Sequence, residues 1–135
     1  RESFARMRDF VAAMHRAGVP LVAGSDGTPG LTLHRELELY VDAGIPAAQV
    51  LRIATWNAAR VAGLDAETGS IERGKAADLV LVEGDPLEDI SRIRRTRLVV
   101  KGGVAYAPDV LYAALGMKPF ASPLAIERST AATRP

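Results

Sequence analysis

The sequence contains no cysteine among its 135 residues. This absence excludes disulfide bonds, thiol catalysis and thiolate metal sites, and it leaves the redox compartment open. Neither sign of charge is in excess, because 17 Lys and Arg residues are matched by 16 Asp and Glu residues. A net charge of +1 gives no reason to expect nucleic acid or a membrane surface as a partner.

Long apolar runs and targeting signals are also lacking. The apolar runs fall far short of the roughly 20 residues that a transmembrane helix needs, and the N-terminus has no signal-peptide pattern. We find no internal repeat, phosphate-binding glycine loop, paired-histidine metal motif or serine elbow. The length suits one domain with its own core. Because Arg1 opens directly on a helical pattern, we expect a piece of a longer protein, and localisation stays open.

One short segment ends in a carboxylate and is the best candidate for chemistry. Residues 21–23 are an apolar run typical of a buried parallel strand. Asp26 follows between Gly24 and Gly27, which permit a sharp turn. Catalytic groups of an α/β barrel sit at the C-terminal ends of its strands, so Asp26 is a candidate metal ligand or proton carrier. The alternative is a turn residue whose carboxylate bonds its own backbone.

Helices flank this segment. Apolar side chains at helical spacing predict helices over residues 3–17, 33–43 and 47–62. His15 falls in the last turn of the first helix, where the helix dipole favours it, and we interpret it as structural rather than as a metal ligand. Asn57 interrupts the apolar face of the third helix, and we expect its side chain to satisfy buried backbone groups.

His34 lies at the start of the second predicted helix. It is either a surface residue at a helix start or a substrate contact that faces the same opening as Asp26, since the loop between them is short. Glu36 and Glu38 follow early in the same helix, where negative charge suits the helix dipole.

From Thr68 onward the sequence changes from helical patterns to strand and turn patterns. Strands are predicted over residues 78–83 and 96–100, and Gly102-Gly103 before another apolar run is a hairpin signal. Asp85 is interpreted as the N-cap of a helix that begins at Pro86. A short helix is expected over residues 109–115. From residue 116 there is no sustained periodicity, which predicts a tail that packs along a surface or is poorly ordered.

Four pieces of the chain together resemble the C-terminal part of the metal-dependent amidohydrolase superfamily. They are Gly24-Ser25-Asp26, Leu33-His34-Arg35-Glu36-Leu37-Glu38, Ala54-Thr55-Trp56-Asn57-Ala58-Ala59 and Gly69-Ser70-Ile71-Glu72-Arg73-Gly74-Lys75-Ala76-Ala77-Asp78-Leu79-Val80. Their order and spacing are those of the superfamily, and the resemblance extends over roughly the first four fifths of the chain. The nearest likeness is to its imidazolonepropionase-like and Xaa-Pro dipeptidase-like members.

The resemblance implies an α/β fold: the C-terminal portion of a (β/α)₈ barrel, namely its last strand and flanking helices, plus a small β-sandwich segment. It places the barrel part at residues 1–66, the sandwich segment at residues 67–107, and a C-terminal helix and tail at residues 108–135.

The resemblance also implies chemistry. Members of the superfamily hold one or two divalent metal ions, usually zinc, at the barrel mouth and hydrolyse C–N bonds in amides, cyclic amides or dipeptides. The aspartate after the eighth strand ligates a metal, takes a proton from the attacking water and passes it to the leaving nitrogen. That aspartate maps onto Asp26, as both metal ligand and catalytic residue.

The other ligands of the superfamily, an H-x-H pair, a lysine and two further histidines, have no counterpart in this sequence. A catalytic zinc usually has three protein ligands, so we expect the chain alone neither to bind metal tightly nor to hydrolyse amides. The missing N-terminal barrel, or a partner chain that supplies it, would be needed. The alternative is a non-catalytic remnant that acts through self-association or partner binding. The substrate itself stays open.

Overall fold

The computed structural model describes residues 2–24, 27 and 32–126. Its helices are α1 (Glu2–Arg16), α2 (Thr32–Asp42), α3 (Ala47–Arg52), α4 (Ala58–Val61) and α5 (Pro108–Ala114), with a π-helical segment (Ile53–Asn57) between α3 and α4 and a 3₁₀ helix (Ile90–Arg94). Its strands are β1 (Leu79–Val82), β2 (Thr96–Lys101) and β3 (Val104–Tyr106). The fold is therefore α/β, as expected. No helix in the described ranges has the length and apolar character needed to cross a lipid bilayer.

The four helices predicted over residues 3–17, 33–43, 47–62 and 109–115 agree with the structure to within one or two residues, apart from a local change in the third. The predicted helix over residues 47–62 changes to π geometry over Ile53–Asn57. There the Thr55 hydroxyl donates a hydrogen bond to the Leu51 carbonyl at 2.7 Å. Threonine hydroxyls bonded to the preceding turn distort helices locally, which is consistent with the irregular stretch at this position.

The strand predicted over residues 21–23 is not formed. Residues 19–24 are irregular in the structure, and the described strands all belong to another sheet. A β-strand requires a neighbouring backbone to complete its ladder of hydrogen bonds. In the described ranges no strand lies beside this segment, although Leu21 and Ala23 still pack against the core.

The sheet has the order β1-β2-β3 and is antiparallel throughout. β2 and β3 form the predicted hairpin, in which Lys101 pairs with Val104. Gly102 and Gly103 have φ angles of +57° and +81°, as a two-residue type I′ turn demands. Asp78 supports the turn, because its carboxylate accepts hydrogen bonds from the Gly102 amide at 2.8 Å and from the Lys101 ammonium.

The prediction of a helix that begins at Pro86 is wrong, although Asp85 does cap the backbone locally. Asp85 Oδ1 accepts a hydrogen bond from the Leu87 amide at 2.8 Å and closes a turn. The helical segment begins only at Ile90, where Asp89 accepts from the Ser91 amide at 3.0 Å. Burial explains the choice of start, because Ile90 and Ile93 of this segment enter the core.

The core lies between α2, α3 and the 3₁₀ helix. Its buried members are Leu37, Ile45, Val50, Ile53, Ile90 and Ile93. The same cluster draws on residues from both sides of the predicted boundary between residues 66 and 67. The β-rich part is therefore attached to the helical part by a shared core, and the division into domains stays a prediction.

The segment after α5 returns to strand β2. The Leu124 amide donates to the Arg97 carbonyl at 3.0 Å, and Arg97 Nε donates to the Ser122 carbonyl at 3.0 Å. Tyr112 and Phe120 meet edge to face with ring centroids 6.1 Å apart. As far as residue 126, the tail thus packs along a surface, and residues 127–135 lie outside the described residues.

Candidate functional site

Asp26, the residue predicted to ligate metal and carry the proton, lies outside the described residues. What the structure shows is how the chain approaches it. Residues 19–24, which we call the incoming segment, lead toward it and end at Gly24. Helix α2 begins at Thr32. On the two sides of the residues that are not described, the chain is therefore represented by Gly24 and by the first turns of α2.

Helix α2 binds the incoming segment through Glu36. Glu36 Oε1 accepts a hydrogen bond from the Gly24 amide at 3.2 Å and another from the Tyr40 hydroxyl at 2.5 Å. Burial raises the pKa of Tyr40, and the hydrogen bond to Glu36 and the charge of that carboxylate raise it further. The Tyr40 phenol therefore stays protonated near neutral pH and remains a hydrogen-bond donor.

His34, the predicted substrate contact, is half-buried in the first turn of α2. Its pKa lies below the ordinary value of 6.5, first because burial disfavours the charged ring and second because Arg94 is positively charged. Glu38 opposes this shift in part. The imidazole is consequently neutral near pH 7 and offers one donor and one acceptor. Its contact with substrate stays a prediction.

An ion-pair network next to His34 was not expected from the sequence. Glu38 Oε1 lies 2.6 Å from Arg94 Nε of the 3₁₀ helix, and Glu38 Oε2 lies 2.9 Å from the Arg35 guanidinium. The spacing of Arg35 and Glu38 on one helix face could have revealed the local pair. The pair with Arg94 joins residues 56 positions apart in the chain, so no local pattern indicates it.

The described residues do not fit a metal site of their own. Among them, no group of three or more His, Cys, Asp or Glu side chains is placed to hold a metal ion. Since a catalytic zinc usually has three protein ligands, the remaining ligands would have to come from outside these residues. We therefore derive no catalytic step from a metal held by the described part of the chain.

A cavity of about 490 Å³ lies at the other end of the incoming segment, beside residues 18–21. His15 and Gln49 both line it, and His15 Nε2 lies 2.6 Å from Gln49 Oε1, while the structural role of His15 stays a prediction. The guanidinium groups of Arg52 and Arg60 each lie 4.8 Å from the ring centroid of Trp56. Asn57 also lines this cavity, whereas neither Gly24 nor His34 does.

Comparison with known proteins shows which family the chain belongs to. The family model described as the amidohydrolase family matches residues 3–105. Imidazolonepropionase of Sphingopyxis alaskensis is 39% identical over 89 residues, which are 62% of this chain and 22% of that protein. Ochratoxinase of Aspergillus niger is 34% identical over 93 residues, which are 65% of this chain and 19% of that protein. The chain thus spans about a fifth of the length of these curated relatives.

Solved structures agree with this result. A Xaa-Pro dipeptidase with methionine bound in its active site superposes with a TM-score of 0.70 and 33% identity, covering 74% of this chain and 25% of that one. Aspergillus niger ochratoxinase superposes with a TM-score of 0.66 and 28% identity, covering 74% of this chain and 24% of that one. The resemblance seen in the four sequence pieces is confirmed, and the chain belongs to the amidohydrolase family.

Proposed function

We propose that this chain is the C-terminal segment of a metal-dependent amidohydrolase that hydrolyses a C–N bond in an amide, cyclic amide or dipeptide. We further propose that it is inactive until the N-terminal part of the barrel is supplied. The observation that carries the proposal is the family match over residues 3–105 in a chain that spans only 22% and 19% of two relatives. The match to the amidohydrolase family and the similarity to a Xaa-Pro dipeptidase support this reaction class.

In the assembled enzyme Asp26 would be the contribution of this chain to the chemistry. A carboxylate there fits the hard oxygen ligand that a divalent ion such as zinc accepts. Bound metal would supply Lewis-acid activation of water. The Asp26 carboxylate would accept a proton from the attacking water and deliver it to the leaving nitrogen. One or two zinc ions are proposed, held mainly by residues of the missing barrel part.

His34 is proposed as a substrate contact at the same opening. Its lowered pKa favours the neutral ring, which can donate a hydrogen bond to a substrate carbonyl or accept one from an amide. The position of His34 supports this role, because α2 carries both His34 and Glu36, and Glu36 accepts a hydrogen bond from Gly24, two residues before Asp26. The identity of the substrate is left at the level of a small amide or dipeptide.

A second candidate function is a non-catalytic protein that acts through self-association or partner binding. Such a function requires an apolar surface, and the described chain has one. Phe4, Met7 and Phe10 on α1 are 48%, 67% and 64% exposed, and Val80 and Leu81 on β1 are 60% and 50% exposed. Such apolar surfaces are associated with interfaces. The same surfaces would also be covered if the rest of an amidohydrolase barrel packed on them, so they do not distinguish the two functions.

Reconstitution distinguishes them. The DNA upstream of Arg1 would be sequenced, and any in-frame polypeptide carrying an H-x-H pair would be co-expressed with this chain. Purified complex and isolated chain would then be assayed with zinc against N-acyl amino acids, Xaa-Pro dipeptides and cyclic amides. We expect hydrolysis by the complex only. Zinc-dependent turnover by the isolated chain would contradict the need for a partner, and a stable metal-free homo-oligomer with no upstream barrel would favour the second candidate.

Asp26 is tested in the same assay. Asp26→Asn keeps the size of the side chain but removes the proton acceptor, and we expect kcat to fall roughly 100-fold or more. Asp9→Asn is the matched control, because it makes the same change from carboxylate to amide at a residue that lies exposed on α1. Its kcat should equal that of wild type. Equal rates for wild type and Asp26→Asn would exclude Asp26 from catalysis.

A further inference from the structure

We infer that Glu36 is a positioning residue that fixes the backbone leading into Asp26, by binding the Gly24 amide and the Tyr40 hydroxyl with one carboxylate oxygen. Its consequence for catalysis rests on the proposed function, whereas the contact itself does not. The helix dipole was the only role that the sequence indicated for Glu36.

The geometry gives Glu36 a specific task. Its Oε1 atom lies 3.2 Å from the Gly24 nitrogen and 2.5 Å from the Tyr40 hydroxyl oxygen. The Gly24 contact crosses between elements, since it joins the incoming segment to α2, whereas Tyr40 is one helical turn beyond Glu36. Hydrogen bonds to an ionised carboxylate are stronger than neutral ones. Glu36 therefore ties the segment and the helix together at one atom.

In the chain as described, no strand neighbour satisfies the Gly24 amide. Within the described ranges, residues 19–24 form no strand, so no neighbouring strand offers a carbonyl to the Gly24 amide. Backbone amides that are not paired in a sheet are satisfied by side chains or water. Here the Glu36 side chain takes the place of a neighbouring strand, two residues before Asp26.

Tyr40 sets the direction of the Glu36 carboxylate. The Tyr40 side chain is half-buried and stays protonated because its pKa is raised. It can therefore act toward a carboxylate only as a hydrogen-bond donor. A donor one turn along the helix holds Glu36 Oε1 in reach of the Gly24 amide.

The contact is tested on the whole chain by NMR of the Gly24 amide. We expect Glu36→Leu to move the Gly24 amide proton upfield and to raise its hydrogen-exchange rate roughly tenfold, because a charge-assisted bond is lost. Glu36→Gln should give a smaller change of the same sign, since it retains a weaker, neutral acceptor. Glu38→Gln is the matched control: the same helix loses the same charge, and the Gly24 signal should stay unchanged.

The outcomes decide the inference in either direction. A Gly24 amide that is unaltered in folded Glu36→Leu overturns it, as does an equal change in Glu38→Gln. If Glu36→Leu does not fold by circular dichroism, the isosteric Glu36→Gln decides, and an unaltered Gly24 signal there overturns the inference. Tyr40→Phe should also perturb the Gly24 amide, because the carboxylate loses its second donor.

The effect on catalysis is tested in the reconstituted enzyme. Glu36→Gln should lower kcat about tenfold with little change in KM, because a displaced catalytic group costs rate rather than substrate binding. Wild-type kcat in Glu36→Gln would overturn the positioning role. If the reconstituted wild type is inactive, the proposed function fails, and the Gly24 amide measurement alone then decides whether Glu36 holds this segment.

Discussion

Arg94 and Glu38 form the ion pair that joins the 3₁₀ helix to α2. Arg94 Nε lies 2.6 Å from Glu38 Oε1, and the two side chains are only 24% and 16% exposed. Both ends sit next to the hydrophobic core, to which α2 contributes Leu37 and the 3₁₀ helix contributes Ile93. The pair therefore attaches the β-rich part of the chain to the helix that carries His34.

Loss of Arg94 should destabilise the fold. We expect Arg94→Met to lower the free energy of unfolding by about 1–2 kcal/mol, because a largely desolvated carboxylate loses one partner while Arg35 retains the other oxygen. The measurement is urea denaturation followed by circular dichroism. Arg6→Met is the control, because the Arg6–Glu2 pair is 78% and 81% exposed, and its removal should change stability by less than about 0.5 kcal/mol. Equal effects of the two substitutions would contradict a special contribution of the half-buried Arg94–Glu38 pair.

Acid should weaken the same contact. The hydrogen bond from Arg94 holds the pKa of Glu38 below its ordinary value of 4.5, with Arg35 acting in the same direction. The unfolded state therefore binds the proton more readily, so the contribution of Glu38 is complete above about pH 4.5 and is lost as pH falls through the lowered pKa. Urea denaturation between pH 7 and pH 3 should show a smaller loss of stability in Glu38→Gln than in wild type. Parallel pH curves would disprove this coupling.

His34 should titrate below its ordinary pKa. Burial and the charge of Arg94 both favour the neutral ring, so NMR titration of the His34 imidazole should give a midpoint below 6.5. Arg94→Met should raise that midpoint, because one of the two causes is removed and Glu38 remains. The His34→Gln variant assigns the signal. A midpoint in Arg94→Met equal to or below that of wild type would show that Arg94 does not act on His34.

Gly69 should be intolerant of any side chain. Its φ angle is +90°, and an added Cβ would lie 2.5 Å from the Ala59 Cβ and 3.2 Å from the Trp56 Cα. We expect Gly69→Ala to destabilise the protein by about 2–4 kcal/mol, through backbone strain plus a clash that the helix backbone cannot relieve. Gly74→Ala is the matched control: φ is +94°, and nothing lies within 4 Å of its added Cβ.

The control variant should lose only about 1 kcal/mol, which is the cost of the left-handed conformation alone. Thermal melts of the two variants measured side by side separate the clash from the strain. If Gly69→Ala and Gly74→Ala lower the free energy of unfolding equally, the close packing of Gly69 against α4 does not contribute to stability.

The sequence alone determined four of the helices, the hairpin and the family. Apolar spacing placed the helices to within one or two residues because their buried faces recur at the helical period. The glycine pair at residues 102–103 marked the hairpin because only a residue without Cβ adopts positive φ at both positions without cost. Four short pieces in order were enough to indicate the amidohydrolase family, since their residues reflect a shared site and fold.

Only the tertiary structure decided what depends on partners distant in the chain. Residues 21–23 have the composition of a strand, but a strand forms only when a neighbouring backbone completes its ladder. Asp85 carries the signals of a helix start, yet burial of Ile90 and Ile93 moved that start to a later residue. Packing also brings together the Glu38–Arg94 pair and the contact of Glu36 with Gly24. No periodic pattern in the sequence predicts either contact.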